Sequence, residues 1–124
     1  MKYPFNTIID IHKQLFPKAT YKSQLLQYNE EVKELEEAQL LSEKKEELAD
    51  VIIVVLSLRR FEETKQVAEN LLQFHYFNLP LAEKETMQKY IDKCIDKIKL
   101  RVSDNRYILA NGRYIRNDKF YKGQ

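Results

Sequence analysis

Glycine and proline are scarce in this chain: two glycines and three prolines among 124 residues. β-rich folds rely on both residues at their turns, so this scarcity argues for helices joined by short loops. No G-x-x-x-x-G-K-[ST] or G-x-G-x-x-G motif is present, which excludes a Gly-rich loop as a phosphate cradle. There is a single cysteine, Cys94. One thiol excludes an intrachain disulfide scaffold and a thiol-rich metal site. Cys94 falls between Ile91 and Ile95 in a helical pattern, a packing position. Long apolar runs are missing too: the longest, Val51 to Leu56, is far too short to span a bilayer. The N-terminus shows no basic region followed by an apolar core, the mark of a signal peptide. A cytoplasmic protein with no membrane partner is expected.

The chain does have the material for a core, since 44% of it is hydrophobic. Its length fits one domain. A domain this small buries a limited fraction of its surface, and partner subunits can make up the deficit. The apolar stripes and 14 aromatic residues (six Phe, eight Tyr) are consistent with a partner's helices packing on them. Charge is unevenly spread behind a net value of +2. Glu30 to Asp50 holds nine acidic and three basic residues, and Lys89 to Gln124 holds ten basic and four acidic ones. The first segment suits cations. The second suits phosphates, with nucleic acid as the competing partner.

Periodicity predicts five helices and one hairpin. Ile8, Ile9, Ile11, Leu15 and Phe16 mark a helix over 5–16, with Asn6 as a candidate cap and Pro17 as its stop. Thr20 is the N-cap of a second helix, running to about Leu41, whose stripe is Leu25, Tyr28, Val32 and Leu35. A third starts at Ser42 and covers about 43–60. It carries Val51-Ile52-Ile53-Val54-Val55-Leu56, and the Glu-rich lead-in with Leu48 and Leu58 favours a helix buried nearly all round over a strand. A fourth covers 62–77, with Val67, Leu71, Leu72 and Phe74 inward. A fifth runs from about Ala82 to Val102, with Met87, Ile91, Ile95 and Ile98 on one stripe. Asn111-Gly112 between two short β-prone segments reads as a hairpin turn. The expected fold is an all-α antiparallel bundle of four to five helices with a short C-terminal β-hairpin. Residues 1–102 are expected to form the helical domain that carries any site, and 103–124 the basic hairpin and tail.

Two acidic motifs carry the functional reading: Glu30-Glu31-x-x-Glu34 on the second helix and Glu47-x-x-Asp50 on the third. Residues three apart share a helix face. Glu31 projects with Glu34, and Glu47 with Asp50, so a short link lets four carboxylates converge. Carboxylates at that density repel and are costly to desolvate. A hard divalent cation resolves the conflict, and Mg²⁺ takes oxygen ligands alongside substrate phosphates. The competing view is a solvated face paired with Lys33, Lys44 and Lys45. Asp50 argues against it, because it opens directly into the apolar run. The Glu-x-x-His of di-iron bundles is missing, which favours Mg²⁺ or Mn²⁺ over iron.

The segment Tyr21 to Leu58, with Glu30-Glu31-Val32-Lys33-Glu34 and then Glu47-Leu48-Ala49-Asp50, resembles the core of the MazG-like all-α nucleoside triphosphate pyrophosphohydrolases. The resemblance covers about a third of the chain. It implies Mg²⁺ (or Mn²⁺) held by Glu31, Glu34, Glu47 and Asp50, with Glu30 positioning water or serving a second ion. These five are the candidate catalytic residues. It also implies a nucleoside triphosphate substrate, release of pyrophosphate and monophosphate, and a homodimer or dimer of dimers. The family's later basic element corresponds to Lys97-Ile98-Lys99-Leu100-Arg101, with Leu100 departing from the pattern and Asp96 standing where many relatives have Asn. Lys93, Lys97 and Arg101, spaced by four, are the candidate phosphate-binding residues, and Arg113 and Arg116 of the hairpin are candidates to fold over the same site. Tyr21, Tyr28, Phe74 and Tyr76 read as core rather than base-stacking groups. His12 and His75, without metal-ligand spacing, read as structural or surface residues. Two rivals stand. One is a phosphoribosyl-ATP or dUTP/dCTP-type pyrophosphohydrolase. The other is a non-enzymatic helical nucleic-acid-binding or interaction module using Arg106 to Lys122, which leaves the ordered acids unexplained.

Overall fold

The computed structural model describes residues 1–116. The tail within the expected 103–124 segment, 117–124, lies outside the described residues, as does that part of the arm from Arg106 to Lys122. The described residues form an all-α bundle of five helices with a short C-terminal antiparallel hairpin. The helices are α1 (Phe5–Leu15), α2 (Tyr21–Glu37), α3 (Leu41–Leu58), α4 (Lys65–Leu72) and α5 (Leu81–Ser103). A 3₁₀ turn (Glu62–Thr64) leads into α4, and a π turn (Gln73–Phe77) follows it. Strands β1 (Tyr107–Ala110) and β2 (Arg113–Arg116) pair with Tyr107 opposite Arg116.

α3 is the axis of the fold. Every residue from Val51 to Leu58 is buried, so the β-branched run forms a helix packed on all sides. The apolar stripes of the other helices surround it: Ile8 of α1, Ala68 and Leu72 of α4, and Met87, Ile91 and Ile95 of α5. α2 supplies Leu25, Tyr28, Val32 and Leu35, partly buried against the same core. Thr20 caps α2 as expected. Its Oγ1 accepts the Ser23 N–H at 3.1 Å, and its own N–H donates to Ser23 Oγ at 3.0 Å, a reciprocal arrangement that serves two donors at once.

Several expectations are corrected. α2 stops at Glu37 rather than near Leu41, because Ala38 turns extended and its N–H donates to the Leu35 carbonyl. α3 starts at Leu41 with no side-chain cap. Ser42 is already inside the helix, and Glu43 reaches back to the Gln39 N–H at 3.4 Å. Asn6 also lies inside its helix, the cap position being Pro4. Val67 and Phe74 face outward, at 43% and 72% exposure. On α4 the inward step is Ala68 to Leu72. Beyond it, the Asn78 N–H donates five residues back to the Gln73 carbonyl. A π turn holds an extra residue and shifts the helical phase, so His75 and Tyr76 turn inward instead of Phe74.

The turn between the strands is built by Asn111 and Gly112, both at positive φ (52° and 75°), as a two-residue hairpin turn requires. The hairpin is held against the end of α1. Phe16 meets the rings of Tyr107 and Tyr114 edge-on, each centroid at 5.0 Å. The Lys18 N–H donates to Tyr114 Oη at 3.1 Å. That docking places β2 over α2, which matters for the site. No helix among the described residues is long and apolar enough to cross a membrane.

Candidate metal and phosphate site

α2 and α3 are joined by only three residues, 38–40, and pack together over a longer stretch than any other pair of elements. Their acidic faces therefore meet. Carboxylate oxygens of Glu31, Glu34 and Glu47 all lie within 4.8 Å of one another. Asp50 lines the same cleft, which has a volume of about 640 Å³. The Cys94 thiol lines the same cleft. Burial, followed by the charge of Asp50, pushes that thiol up to about 12, so Cys94 stays protonated.

The electrostatics register the crowding. Glu31 is pushed up to about 8, by burial first and then by the charges of Asp50 and Glu34. Glu47 is pushed up to about 7, again by burial first and then by Asp50 and Glu34. Asp50 is raised by burial, against the pull of Arg101 and Lys97. Glu31 Oε2 and Glu47 Oε2 are both buried without a hydrogen-bond partner. Such atoms are rare in folded proteins and call for a reason. Two bare acceptors in an all-oxygen cluster fit a hard divalent cation.

α5 forms the opposite wall. Cys94, Lys97, Ile98 and Arg101 line the cleft with the i, i+3, i+4, i+7 spacing of one helix face. The structure thus brings Lys97 and Arg101 to the acids. Lys93 is off this face. Its ammonium lies 5.8 Å from the Tyr90 ring centroid. Steps of four residues drift by about 40° each at 3.6 residues per turn, so the 93-97-101 stripe turns away and Cys94 takes the cleft position. Asp96 faces elsewhere, accepting from Lys2 Nζ at 3.1 Å and from Tyr3 Oη. Together with Asp92, which accepts the Lys2 and Tyr3 N–H groups, it ties the N-terminus to α5.

Glu30 is separate from the trio. It pairs with Arg113 of β2. The same Arg113 Nη2 donates to Gln27 Oε1 at 3.1 Å, and Gln27 Nε2 donates to Glu31 Oε1 at 2.8 Å. A relay of hydrogen bonds therefore runs from the hairpin into the acidic cluster. Sequence reasoning missed Gln27, because a lone glutamine on a helix carries no spacing signal.

His12 and Gln24 also line the cleft without having been singled out for it. Arg60 donates to His12 Nδ1 at 2.8 Å, so the ring must carry its proton on Nε2. Burial, and next the Arg60 charge, lower His12 to about 3, which keeps it neutral. Gln24 Nε2 donates to Ser57 Oγ at 2.8 Å, and Ser57 Oγ donates to the Val54 carbonyl. His75 is buried, with its Nε2 2.8 Å from Tyr28 Oη, a link between α2 and the π turn away from the acids. Phe74 is exposed, while Tyr76 is buried and receives a hydrogen bond from Gln88.

The raised carboxylates have a measurable consequence. From about pH 4.5 up to about 8 for Glu31 and about 7 for Glu47, the folded chain keeps protons that the unfolded chain has released. Stability therefore falls as pH rises through that window. A divalent cation binds the deprotonated acids, so its stabilising effect grows over the same range. Thermal melts at about pH 7 and about pH 8.5, with and without Mg²⁺, test this. The Mg²⁺-induced rise in Tm should be larger at the higher pH. Equal shifts at both values would contradict it.

No protein-family profile, curated protein or solved structure matches this chain.

Proposed function

We propose that the protein is a divalent-cation-dependent nucleoside triphosphate pyrophosphohydrolase of the MazG-like kind. The observation that carries this reading is the pairing of opposites across one cleft. Glu31, Glu34, Glu47 and Asp50 stand on one side, and Lys97 and Arg101 on the other. A cation–oligophosphate complex has the complementary charge pattern. A triphosphate chain can present its metal-binding oxygens to the carboxylates and its outer phosphates to the basic wall.

Each group then has a task. The four carboxylates would hold Mg²⁺ or Mn²⁺, which supplies Lewis-acid polarisation of a phosphoryl oxygen when bound. Lys97 acts as a point charge on the leaving pyrophosphate, and Arg101 as a fork across two oxygens. Water adds to the α-phosphorus, the bond to the bridging oxygen breaks, and that oxygen leaves with pyrophosphate. The proton lost by water passes to solvent through the carboxylate cluster. Neutral His12 and the Gln24 amide, whose nitrogen lies 3.4 Å from His12 Nε2, form a polar patch in the same cleft, and they suit the uncharged part of a nucleotide better than its phosphates.

The nucleic-acid reading is weaker. It leaves the carboxylates of Glu31, Glu34 and Glu47, gathered within 4.8 Å of one another, without a role. The test is pyrophosphate release from a panel of common nucleoside tri- and diphosphates and phosphoribosyl-ATP, with and without Mg²⁺. Metal-dependent pyrophosphate release supports the proposal, and the preferred substrate separates it from the phosphoribosyl-ATP and dUTP/dCTP types. Release of orthophosphate alone, or no turnover, would refute it.

Lys97→Ala and Arg101→Ala should each lower kcat/KM for a triphosphate by roughly 10-fold or more, about 1.4 kcal/mol, with unchanged melting. Near-wild-type kinetics in both would remove α5 from the mechanism.

The reading also expects a homodimer or a dimer of dimers. Phe74, Phe77 and Leu81, at the π turn and the start of α5, are large, apolar and exposed, and a second copy is the partner proposed to cover them. Light scattering across working concentrations should give twice or four times the chain mass. A stable monomer throughout would contradict this.

A further inference from the structure

Among the described residues, three buried side-chain polar atoms have no hydrogen-bond partner: Glu31 Oε2, Glu47 Oε2 and Arg113 Nε. All three residues line the same cleft. The first two are acceptors and suit a cation. The third is a donor and suits an anion. A guanidinium has five N–H donors in a rigid fork. The donors of Arg113 Nη2 face Glu30 and Gln27, which fixes the group in orientation while the buried Nε–H goes unused. An N–H shut away from water without a partner is costly, and it is rarely kept without a reason.

The local structure explains how that donor is held in place. Asn111 and Gly112 close the hairpin, and Phe16 clamps it through Tyr107 and Tyr114. β2 then delivers Arg113 to the rim of the cleft beside α2, while Lys97 and Arg101 come from α5. The acids are thus flanked by cations from two separate elements.

We infer that Arg113 is a third oligophosphate-binding residue, supplied by the hairpin, whose Nε–H takes up a phosphate oxygen while Glu30 and Gln27 hold the guanidinium in place. This rests on the reading of the cleft as a cation–oligophosphate site, and it adds a residue outside the helical bundle to that site. Glu30 has a corresponding role as the anchor of this arginine rather than as a fifth carboxylate beside Glu31, Glu34, Glu47 and Asp50.

The experiment is calorimetric titration of the full chain with inorganic tripolyphosphate in Mg²⁺, and separately with Mn²⁺ alone. Arg113→Ala should weaken tripolyphosphate binding by about 10-fold or more, with no weakening of Mn²⁺ binding, since a neighbouring positive charge has been removed. Arg113→Lys keeps the charge and a partner for Glu30 but lacks the Nε donor and the fork. It should recover only part of the loss, and it guards against an alanine variant that fails to fold. Unchanged tripolyphosphate binding in both variants would overturn the inference. So would full recovery by lysine, an equal loss of Mn²⁺ binding, or a wild-type chain that does not bind tripolyphosphate. The two readings fail separately. If only hydrolysis is wrong, no nucleotide is turned over, yet the Arg113 dependence of tripolyphosphate binding persists. If only this inference is wrong, nucleotides are hydrolysed and Arg113→Ala behaves as wild type.

Discussion

A Glu31→Gln protein is expected to lose more than about 100-fold of its Mg²⁺-dependent turnover, while melting at a higher temperature than wild type when metal is removed. The first effect follows from its place in the cleft. Glu31 offers one of the two bare acceptors and shares the oxygen cluster with Glu34 and Glu47. Outer partners of metal ligands already cost 10–100-fold when removed, so a ligand itself should cost about 100-fold or more. The second effect follows from repulsion. The Glu31 carboxyl is pushed up to about 8 by burial and by Asp50 and Glu34, so its charged form opposes folding at pH 8. An amide is isosteric, carries no charge and can still accept from Gln27 Nε2. The test is steady-state kinetics beside metal-free melts at pH 8. Retained turnover would remove Glu31 from the site. A lower metal-free Tm would show that the acids do not repel as described.

Leu56→Ala should cost about 2–5 kcal/mol of folding free energy. Leu56 is 0% exposed in the middle of α3, and the helices packed around it cannot all close on the space left behind. Truncation therefore loses both the transfer free energy of the side chain and the contacts across a cavity. Leu56 does not line the cleft, so the folded fraction should keep its metal dependence and its KM. Urea unfolding at fixed temperature measures the cost. A loss below about 1 kcal/mol would mean that α3 is not the tightly packed axis described here.

Much of this architecture was legible in the sequence because its determinants are local. Helix period, the Thr20 cap and the Asn111-Gly112 turn are all encoded within a few residues. The acidic pairs were legible for the same reason: i, i+3 spacing places two side chains on one face, and a short link brings the faces together. The parts that were not legible are non-local or hinge on helical phase. Nothing near Phe74 announces the π turn that rotates His75 and Tyr76 inward. Spacing by four suggested that Lys93 would join Lys97 and Arg101, but the drift of a helix over two such steps puts Cys94 at the cleft instead. The pairing of Arg113 with Glu30 spans 83 residues and depends on Phe16 docking the hairpin. Gln24, Gln27 and His12 have no motif, and they become candidates only once the helices are assembled around the cleft.

The central claim is that this cleft cleaves a triphosphate between its α- and β-phosphorus atoms with the help of a divalent cation. The most direct test is ³¹P NMR of the nucleoside triphosphate that the substrate panel selects, incubated with the protein and Mg²⁺ in ¹⁸O-labelled water. The expected spectrum shows a monophosphate and pyrophosphate growing together, the isotope shift on the monophosphate alone, and no reaction after chelation of the metal. Label in pyrophosphate, a diphosphate with orthophosphate as products, or equal turnover without metal would contradict it.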